Sequence, residues 1–431
     1  MGKAFVANPE EVEPENNIIA VYWLESSRGS LLDAAKALAS EQSIGTWTEV
    51  KTETLWIRER LSAKVFKWKG EKEGLVSVAF PLELFDLERG GIPCILGITA
   101  GNLFGLSEIK NARLIDLQIP KSAVKIFPGP KFGIEGIRKI CGTVKNRIPH
   151  NGTIFKPKVG LKPKEMADIA YEVGVGGVNF CKDDETLFSQ KFCPIEERVS
   201  LMMEALDKVY EETGRRVMYA VNVTAATPRL IYENIESALD NGANAIMLDI
   251  LLAGFGILHQ LAEDPSIKVP IHCHRAFHAA FTRNPRHGVH MIIVAKLTRL
   301  AGGDQLHTGT AAGKMGLSNE VREIQLINDF LRNEWYSLKT VFPVASGGIH
   351  PALVPINVRL LGRDIVINAG GGIHGHPMGS RAGAKAMAQA VEATLKNIPL
   401  EEYAKTHIEL KAALEKWGYK YAEKASEFLK K

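Results

Sequence analysis

From residue 152 onward, short apolar runs alternate with longer segments whose apolar residues recur at helical spacing. There are eight such runs, each with the length of a buried strand. They are Thr153–Lys156, Val178–Lys182, Val217–Val223, Ala245–Ile250, Val269–His274, Gln305–His307, Val341–Ser346 and Ile365–Ala369. Eight strands, each followed by a helix over about 250 residues, are typical of a (β/α)8 TIM barrel, whose chemistry lies on the loops after the strands. An open doubly wound sheet would not favour a count of eight, so the pattern predicts the barrel.

The region before residue 128 has another order of elements. This order approximates the βαββαβ arrangement of a small α+β domain with a ferredoxin-like fold. The predicted strands are Ile18–Tyr22, Thr46–Val50, Ala63–Trp68, Leu75–Pro81 and Ala112–Ile119, and the predicted helices are Leu31–Glu41 and Ile92–Phe104.

A change of composition predicts the boundary between these regions. Pro128, Gly129 and Pro130 break both periodicities, as linkers between domains commonly do. We therefore expect an N-terminal α+β domain in residues 1–128 and a barrel domain in residues 129–431. The tail from Pro399 has helical spacing and no chemical motif, which predicts a helical extension on the surface.

Composition fits a soluble enzyme. The 431 residues, 45% hydrophobic and 24% charged, are enough for a large and a small domain. A net charge of +4 is small for this length, so neither nucleic acid nor another polyanion is predicted as a partner. No apolar run approaches the roughly 18 residues of a membrane span. The five cysteines form no CxxC pair, which argues against a disulfide framework and a zinc site and favours a cytoplasmic location.

The second predicted strand ends in a lysine and three carboxylates, Lys182-Asp183-Asp184-Glu185. Alternate residues of a strand share a face, so Lys182 and Asp184 point the same way, and Glu185 follows where the strand ends. Mg²⁺ is usually held by one or two carboxylates, a role that suits Asp184 and Glu185. Lys182 would either neutralise these carboxylates or lose its own positive charge, as a buried lysine can. A salt-bridged strand end without a metal is the alternative interpretation of these residues alone.

Reactive side chains also follow three other predicted strands. Such groups at one end of one barrel are hard to explain by packing, because buried charges are costly unless paired. We therefore interpret this end of the barrel as the functional one. The residues are Lys156 and Lys158 after strand one, His272, His274 and Arg275 at the end of strand five, and His307 at the end of strand six.

Glycine clusters at the last two strands predict a phosphate site. The clusters are Ser346-Gly347-Gly348 after strand seven and Gly370-Gly371-Gly372 after strand eight. Barrels commonly bind phosphate at these loops, where glycine lets backbone N–H groups approach an anion. Arg275 and His307 could bind a second anion across the mouth of the barrel. The substrate is therefore predicted to be a bisphosphate.

Two further motifs are similar to known binding sites, but the sequence favours other interpretations of them. The segment Gly309–Lys314 is similar to a P-loop, but it has one residue too few between its glycines, and Met315 stands where Ser or Thr would bind Mg²⁺. His272 and His274 share a strand face and could be paired metal ligands, but the carboxylates of strand two already suit a hard ion. Lys314 is either a solvated lysine or a cation that is carried over the substrate when its loop closes.

Together these residues resemble the large subunit of ribulose-1,5-bisphosphate carboxylase/oxygenase, RuBisCO, over nearly the whole chain. The segment Arg275–His290 and the compact loop around Lys314 are most similar to those of the archaeal form III group. A departure from many family members is the lack of an acidic residue two places after Lys314. The segments that carry the resemblance are Gly45–Thr48, Gly101–Gly105, Lys156–Leu161, Lys182–Glu185, His272–His278, Gly302–Asp304, His307–Thr310, Gly313–Lys314, Ser346–His350 and Gly370–Pro377.

The resemblance implies a carboxylase, with an oxygenase side activity, that converts ribulose bisphosphate and CO₂ into two 3-phosphoglycerates. It implies that a non-substrate CO₂ carbamylates Lys182, which then binds Mg²⁺ together with Asp184 and Glu185. The carbamate would help to take the C3 proton and so form an enediolate.

The later steps are assigned by the same resemblance. Lys314 would stabilise the carboxylate formed by the second CO₂, His274 would act as a base, and Lys156 would protonate the product. Lys158 would support the site, and Ser346 would contact the sugar chain. The implied phosphate ligands are Gly348, Gly370 and Gly371 with Thr46 and Trp47 for one phosphate, and Arg275 and His307 for the other.

The resemblance also implies a homodimer or a ring of dimers with shared active sites, and no small subunit is evident. In the family, residues such as Glu41, Thr46, Trp47 and Asn102 come from the neighbouring subunit. The physiological role that form III implies is AMP and nucleotide salvage.

Two other functions are compatible with parts of this pattern. A RuBisCO-like enolase or isomerase acting on a methylthio-sugar phosphate could lose Lys314 or Arg275. A non-catalytic sugar-phosphate-binding homologue would tolerate the loss of Lys156 or Lys182. This chain retains all four residues, which favours the carboxylase.

Overall fold

The computed structural model of the chain describes residues 5–45, 48, 50–313 and 320–418, and the backbone of residues 316 and 317. The chain divides into two compact units. One comprises the residues up to Pro128 and the segment Phe277–Ala301, and the other comprises Gly129–Ala276 and the residues from Gly302 onward. The sequence pattern does not predict that Phe277–Ala301 belongs to the first unit, because this segment lies between two strands of the barrel.

The described residues form strands and helices in the following order. The strands are Asn17–Ser26 (β1), Lys64–Lys69 (β2), Glu73–Pro81 (β3), Ile109–Gln118 (β4), His150–Ile154 (β5), Phe180–Lys182 (β6), Met218–Asn222 (β7), Ala245–Asp249 (β8), Ile271–His274 (β9), Gly288–Val289 (β10), Gln305–His307 (β11), Ala312–Gly313 (β12), Gly316–Leu317 (β13), Phe342–Ser346 (β14) and Val366–Asn368 (β15). The helices are Leu31–Glu41 (α1), Leu55–Leu61 (α2), Gly91–Ala100 (α3), Lys121–Val124 (α4), Gly133–Ile140 (α5), Pro163–Gly176 (α6), Ile195–Thr213 (α7), Pro228–Asp240 (α8), Ile250–Ala253 (α9), Phe255–Glu263 (α10), Ala279–Thr282 (α11), Met291–Ala301 (α12), Val321–Arg332 (α13), Val354–Leu361 (α14), Gly371–His374 (α15), Ser380–Leu395 (α16), Leu400–Tyr403 (α17) and Ile408–Trp417 (α18). Short 3₁₀ turns occur at Pro9–Glu11, Pro14–Asn16, Leu82–Leu84, Leu103–Gly105 and Pro351–Leu353. Of these helices, none combines the length and the hydropathy needed to cross a membrane.

The second unit is a closed parallel barrel. Its eight strands follow one another in the order β5, β6, β7, β8, β9, β11, β14 and β15, and β15 pairs with β5 to close the ring. Parallel strands need crossover connections, and helices such as α6 between β5 and β6 and α7 between β6 and β7 provide them. The prediction of a TIM barrel is therefore confirmed.

Alternate residues of the barrel strands build its core. Phe180, Met218, Met247, Phe342 and Val366 come from five different strands and pack in one buried cluster. The helix α5 adds Ile134 and Ile137 to the same cluster. Because the side-chain period of a strand is two, the residues between these core positions face outward, toward the surrounding helices.

The first unit contains a mostly antiparallel sheet with the strand order β10-β4-β1-β3-β2. The central strand β1 pairs antiparallel with β3 and β4. The short strand β10 adds parallel to the edge of β4, so Phe277–Ala301 joins this unit through the sheet. Helix α1 begins after Ser30, whose side chain accepts a hydrogen bond from the Asp33 N–H in a capping box.

Several predicted elements differ from the observed ones. The predicted strand Thr46–Val50 falls partly outside the described residues, and Thr48 and Val50 lie outside any strand. Helix α2 was not predicted; it begins after Thr54, whose side chain accepts a hydrogen bond from the Ile57 N–H. The first barrel strand ends at Ile154, so Lys156 lies in the following loop and not at the end of the strand.

Candidate active site at the carboxyl end of the barrel

Ionisable side chains replace apolar ones at the last inward-facing positions of several barrel strands. Phe180 and Lys182 lie two residues apart on β6, and Phe180 belongs to the core cluster. The same alternation leads from Met247 to Asp249 on β8. On β9, the ring of His272 lies 5.0 Å from the ring of Phe180, centroid to centroid. The carboxyl end of the barrel therefore carries a layer of ionisable groups directly above an apolar core.

Lysines and carboxylates from the loops after β5 and β6 form one ionic cluster. Lys156 Nζ lies 2.9 Å from Asp184 Oδ2. Lys158 Nζ lies 3.5 Å from Asp184 Oδ1 and 3.4 Å from Glu185 Oε1. The hydroxyl of Thr186 donates to Asp184 Oδ1 at 2.9 Å. The structure thus brings together four of the predicted site residues, which come from two segments of the chain.

Lys182 is fully buried at the end of β6. Its Nζ donates to the carbonyl of Asp183 at 2.5 Å. Burial lowers the pKa of Lys182, although the negative charges of Glu185 and Asp184 oppose this shift. A neutral amine is the nucleophilic form of lysine, so the environment of Lys182 favours its reaction with an electrophile.

Asp184 remains ionised in this cluster. Burial alone would raise the pKa of Asp184, but the hydrogen bonds from Lys156 and Thr186 outweigh it and hold that pKa at about 2. The attraction of Asp184 and Glu185 raises the pKa of Lys158, which stays a cation. Within the described part of the chain, no group of three His, Cys, Asp or Glu side chains is placed to hold a metal ion. A metal held by Asp184 and Glu185 would therefore need a further ligand of another kind.

Asp183, the remaining carboxylate of the motif, faces away from this cluster. It is fully buried and accepts hydrogen bonds from the hydroxyl of Tyr219 at 2.6 Å and from the backbone N–H of Asn222 at 2.9 Å. Arg198 Nη2, also fully buried, lies 3.2 Å from Asp183 Oδ2. Burial would lower the pKa of Arg198, but Asp183 and Tyr219 raise it above its ordinary value. Asp183 is therefore a structural ion-pair partner between the barrel and α7.

His274, at the end of β9, is oriented by Asp249. His274 Nδ1 lies 2.7 Å from Asp249 Oδ1, and Asp249 is fully buried. The Ala276 N–H also approaches Nδ1, at 3.2 Å, but the shorter contact decides the tautomer because a buried carboxylate needs a donor. Nδ1 therefore carries the proton, and Nε2, which lies 3.7 Å from Glu185 Oε2, is the basic nitrogen.

His272 and His307 are buried, and their imidazole rings contact each other. His272 Nδ1 lies 2.8 Å from Gln305 Oε1, and its Nε2 lies 3.0 Å from His307 Nε2. Burial lowers the pKa of both histidines well below the ordinary value, so both are neutral at pH 7. Because both ring nitrogens of His272 already have protein partners, His272 and His274 are not placed as a pair of metal ligands.

The predicted anion-binding residues lie on the remaining loops. Gly348 adopts a φ of +71°, which favours glycine, and it is exposed after β14, where Ser346 is half-buried. A Cβ atom at Gly370 would lie 2.9 Å from Lys156 Cε, so glycine lets this loop approach Lys156 closely. The neighbouring Gly371 is exposed. Burial lowers the pKa of Arg275 to about 10, which leaves it a cation at pH 7.

Two predicted site residues of the first unit, Glu41 and Asn102, contact each other. Asn102 Nδ2 donates to Glu41 Oε1 at 3.2 Å, and the Asn102 N–H donates to Gln42 Oε1 at 3.2 Å. The structure thus pairs two predicted substrate-binding residues that lie far apart in sequence. Thr46, Trp47 and Lys314, also predicted as site residues, lie outside the described residues.

Asp249 is the site residue that the sequence interpretation missed. A signal for it exists, because Asp249 is the last polar residue of the fourth predicted strand and so lies at the same end of the barrel as His274. It pairs in register with His274 on the neighbouring strand, which is why the two side chains meet. An aspartate within an apolar run is equally compatible with a place in the strand, so the run alone does not indicate a site residue.

Comparison with protein families accounts for nearly the whole chain. Residues 133–417 match the family described as ribulose bisphosphate carboxylase large chain, catalytic domain, and residues 7–123 match the N-terminal domain of the same large chain. A ribulose bisphosphate carboxylase of Pyrococcus furiosus is 45% identical over 410 residues, which cover 94% of this chain and 95% of the relative. The corresponding protein of Methanocaldococcus jannaschii is 46% identical over 401 residues, covering 89% of this chain and 93% of the relative.

Solved structures show the same similarity. The octameric RuBisCO of Pyrococcus horikoshii, in complex with sulfate, has a TM-score of 0.89 and 41% identity, and the match covers 96% of each chain. A dimeric archaeal RuBisCO from Hyperthermus butylicus has a TM-score of 0.87 and 41% identity, covering 96% of this chain and 98% of that one. The fold similarity therefore extends over both units and not over the barrel alone.

Proposed function

Because the chain belongs to the family of ribulose bisphosphate carboxylase large chains, we propose that it is a ribulose-1,5-bisphosphate carboxylase, a carbon–carbon lyase. The reaction comprises enolisation of the substrate, addition of CO₂ and cleavage to two 3-phosphoglycerates. The observation that carries the proposal is the cluster of Lys156, Asp184 and Glu185 beside the buried Lys182, at the functional end of the barrel.

The donor set of the mouth fits a hard metal ion once Lys182 is carbamylated. Asp184 and Glu185 supply carboxylate oxygens, and a carbamate on Lys182 would supply the further oxygen ligand. The low pKa of Asp184 suits metal binding, and the pKa of the Lys182 amine, which burial lowers, suits carbamylation. When bound, Mg²⁺ and the carbamate would supply a base for the C3 proton and the positive charge that stabilises the enediolate.

Two residues hold or move protons at defined atoms. His274 Nε2 is free of the hydrogen bond to Asp249 and can take a proton during hydration of the intermediate. Lys156 Nζ, held 2.9 Å from Asp184 Oδ2, can give a proton to the product. Lys158 adds positive charge beside Glu185 and so supports the binding of an anionic substrate.

The phosphates of the substrate would bind at opposite sides of the mouth. Arg275 and His307 would bind one phosphate, and Gly348, Gly370 and Gly371 would bind the other through backbone N–H groups. Ser346 would contact the sugar chain between them. From a neighbouring copy of the chain, Glu41, Thr46, Trp47 and Asn102 would complete the site.

Lys314 would stabilise the carboxylate that forms when CO₂ adds to the enediolate. It follows β12, which pairs antiparallel with β13. The same enediolate can react with O₂, and we propose the oxygenase side activity on this ground. The lack of an acidic residue two places after Lys314 would affect the ratio of the two reactions.

Assembly and cellular role are part of the same proposal. The solved structures from Pyrococcus horikoshii and Hyperthermus butylicus are described as octameric and dimeric, which supports a homodimer or a ring of dimers for this chain. The resemblance to archaeal form III enzymes supports a role in AMP and nucleotide salvage. All five cysteines are unpaired, as expected in a reducing compartment, so we place the protein in the cytoplasm.

The test is fixation of labelled CO₂ with ribulose-1,5-bisphosphate, after anaerobic preincubation with Mg²⁺ and bicarbonate. We expect acid-stable label in 3-phosphoglycerate, which disappears when the bisphosphate or Mg²⁺ is omitted. Without label, proton exchange at C3 of a phosphorylated sugar would replace the proposal by an enolase or isomerase function. If neither signal occurs under activating conditions, a sugar-phosphate-binding role replaces it.

A further inference from the structure

Asn357, on α14, is fully buried and faces the segment that follows β11. Its Oδ1 accepts hydrogen bonds from the N–H groups of Ala311 and Ala312, at 3.0 and 3.3 Å, and lies 2.8 Å from the hydroxyl of Thr310, which shares its proton with the Ala312 carbonyl at 2.7 Å. Its Nδ2 donates to the carbonyls of Ala312 and Leu353, both at 2.9 Å. Each polar atom of the amide is therefore used, and all bonds but one go to three consecutive residues.

These partners make asparagine the side chain that fits at position 357. Two N–H groups face Oδ1 and two carbonyls face Nδ2, so the orientation of the amide is determined by its surroundings. Aspartate has the same shape, but it has no donor and would place an anion against two carbonyl oxygens. Alanine would leave the N–H groups of Ala311 and Ala312 without their partner in a buried place. Asn357 therefore holds the backbone of residues 310–312 in one conformation.

Residues 310–312 directly precede the loop that carries Lys314 in the proposed mechanism. Ala312 and Gly313 form β12, and Lys314 is the next residue in the chain. A Cβ atom at Gly313 would lie 2.1 Å from the carbonyl oxygen of Gly347, so the segment also lies against the glycine loop after β14. The position of residues 310–312 therefore determines where the chain to Lys314 begins, relative to the proposed phosphate site.

We infer that Asn357 is a positioning residue for Lys314, which acts by fixing Thr310–Ala312 against α14. This inference rests on the proposed function, in which Lys314 acts after enolisation. The hydrogen bonds of the Asn357 amide go to residues 310–312 and to Leu353, and none of them goes to the ionic cluster around Lys182. Its loss should therefore slow the addition of CO₂ much more than the removal of the C3 proton.

The test measures both steps on the same preparations of the wild type, Asn357→Ala and Asn357→Asp. Release of tritium from C3 of ribulose bisphosphate reports enolisation, and fixation of labelled CO₂ reports net carboxylation. We expect kcat for carboxylation to fall between about tenfold and a hundredfold, since misplacement by about 1 Å can cost that much. The rate of tritium release and the KM for the bisphosphate should change by less than about threefold. Both variants should behave alike, because both lose the two donors of Nδ2.

The matched control is Asn151→Ala. Asn151 is a buried asparagine on β5, and its Nδ2 donates to the carbonyl of Ala384 at 3.2 Å. Its loss should lower stability without changing the ratio of carboxylation to tritium release. A milder variant, Thr310→Val, removes the hydroxyl that lies 2.8 Å from Asn357 Oδ1 and 2.7 Å from the carbonyl oxygen of Ala312. It should lower the same ratio by a smaller factor, even if the Asn357 variants do not fold.

The outcomes separate this inference from the proposed function. A lower ratio in the Asn357 variants or in Thr310→Val, with an unchanged ratio in Asn151→Ala, supports the positioning role. An unchanged ratio in the Asn357 variants, or an equal fall in Asn151→Ala, overturns it. If the wild type releases tritium but fixes no CO₂, the proposed function itself fails.

Discussion

Asp183 and Asp184 are neighbours in the chain, yet they belong to two different ionic clusters. The buried cluster consists of Asp183, Arg198 and Tyr219, and all three side chains are fully buried. The mouth cluster consists of Lys156, Lys158, Lys182, Asp184 and Glu185. In the mouth cluster the side chain of Lys158 is 51% exposed and that of Lys156 is 30% exposed, so these lysines can move when a ligand enters.

The difference follows from the alternation of side chains along β6. Lys182 faces the inside of the barrel, and Asp183 therefore faces the surrounding helices, where Arg198 of α7 pairs with it. A charge pair that is completely buried contributes to stability only while both partners are present. Charges at an open mouth can exchange partners, which is what binding of a metal ion and an anionic substrate requires. Adjacent aspartates thus serve stability and chemistry separately.

The largest expected effect is on activity, from the change Lys182→Met. The mouth cluster would lose its carbamylation site, so carboxylation should fall by at least about a thousandfold, a loss of transition-state stabilisation of about 4 kcal/mol. The free energy of unfolding should change by less than about 1 kcal/mol, because the variant buries an apolar chain in place of an amine. Fixation of labelled CO₂ and urea unfolding measure the two quantities. Retained carboxylation would refute the role of Lys182.

The opposite pattern is expected for Arg198→Met in the buried cluster. Asp183 would be left as a buried carboxylate without its cation, which should lower the free energy of unfolding by about 3–5 kcal/mol. The folded fraction should keep kcat within about threefold of the wild type. Urea unfolding followed by circular dichroism checks the first value, and an assay of native protein checks the second. A loss of kcat without a loss of stability would show that Arg198 serves activity, and would contradict separate roles for the two clusters.

A smaller loss of stability is expected for Tyr219→Phe. This change removes one donor, the hydroxyl that lies 2.6 Å from Asp183 Oδ1. Leaving part of a buried acceptor unsatisfied costs about 1–3 kcal/mol, less than the loss of the cation. The midpoint of urea unfolding should fall in proportion, with kcat unchanged. A cost equal to that of Arg198→Met would show that the hydroxyl compensates Asp183 as much as the charge of Arg198 does.

The smallest effect at pH 7 is that of His150, whose contribution to stability is lost only in acid. Burial lowers the pKa of His150 to about 3, and its Nε2 lies 2.7 Å from Thr143 Oγ1. In the unfolded chain His150 takes up a proton below about pH 6.5, whereas the folded protein keeps it neutral down to about pH 3. Its contribution to stability is therefore present above pH 6.5 and is lost by up to about 1.4 kcal/mol per pH unit as the pH falls. The variant His150→Gln should show a shallower pH dependence of unfolding between pH 6 and 4 than the wild type.

The sequence predicts the regular parts of this molecule better than its long-range pairings. The sequence predicts all eight barrel strands, because each is an apolar run between helical patterns. The separation of Lys182 from Asp183 also follows from strand alternation. The partners Arg198 and Asn357 could not be predicted, since a side chain on a helix meets the barrel only through the packing of the folded chain. Asp249 could have been predicted from its place at the end of a strand, as could its contact with His274 on the next strand.

The most direct test of this account is ¹³C NMR of the protein incubated with ¹³CO₂ and Mg²⁺. We expect a carbamate resonance that requires Mg²⁺ for its full intensity, that is present in Arg198→Met and that is absent in Lys182→Met. This result would place the reactive amine in the mouth cluster and leave the buried cluster with a structural role. A carbamate resonance that persists in Lys182→Met, or carboxylation by a wild type without any such resonance, would contradict the account.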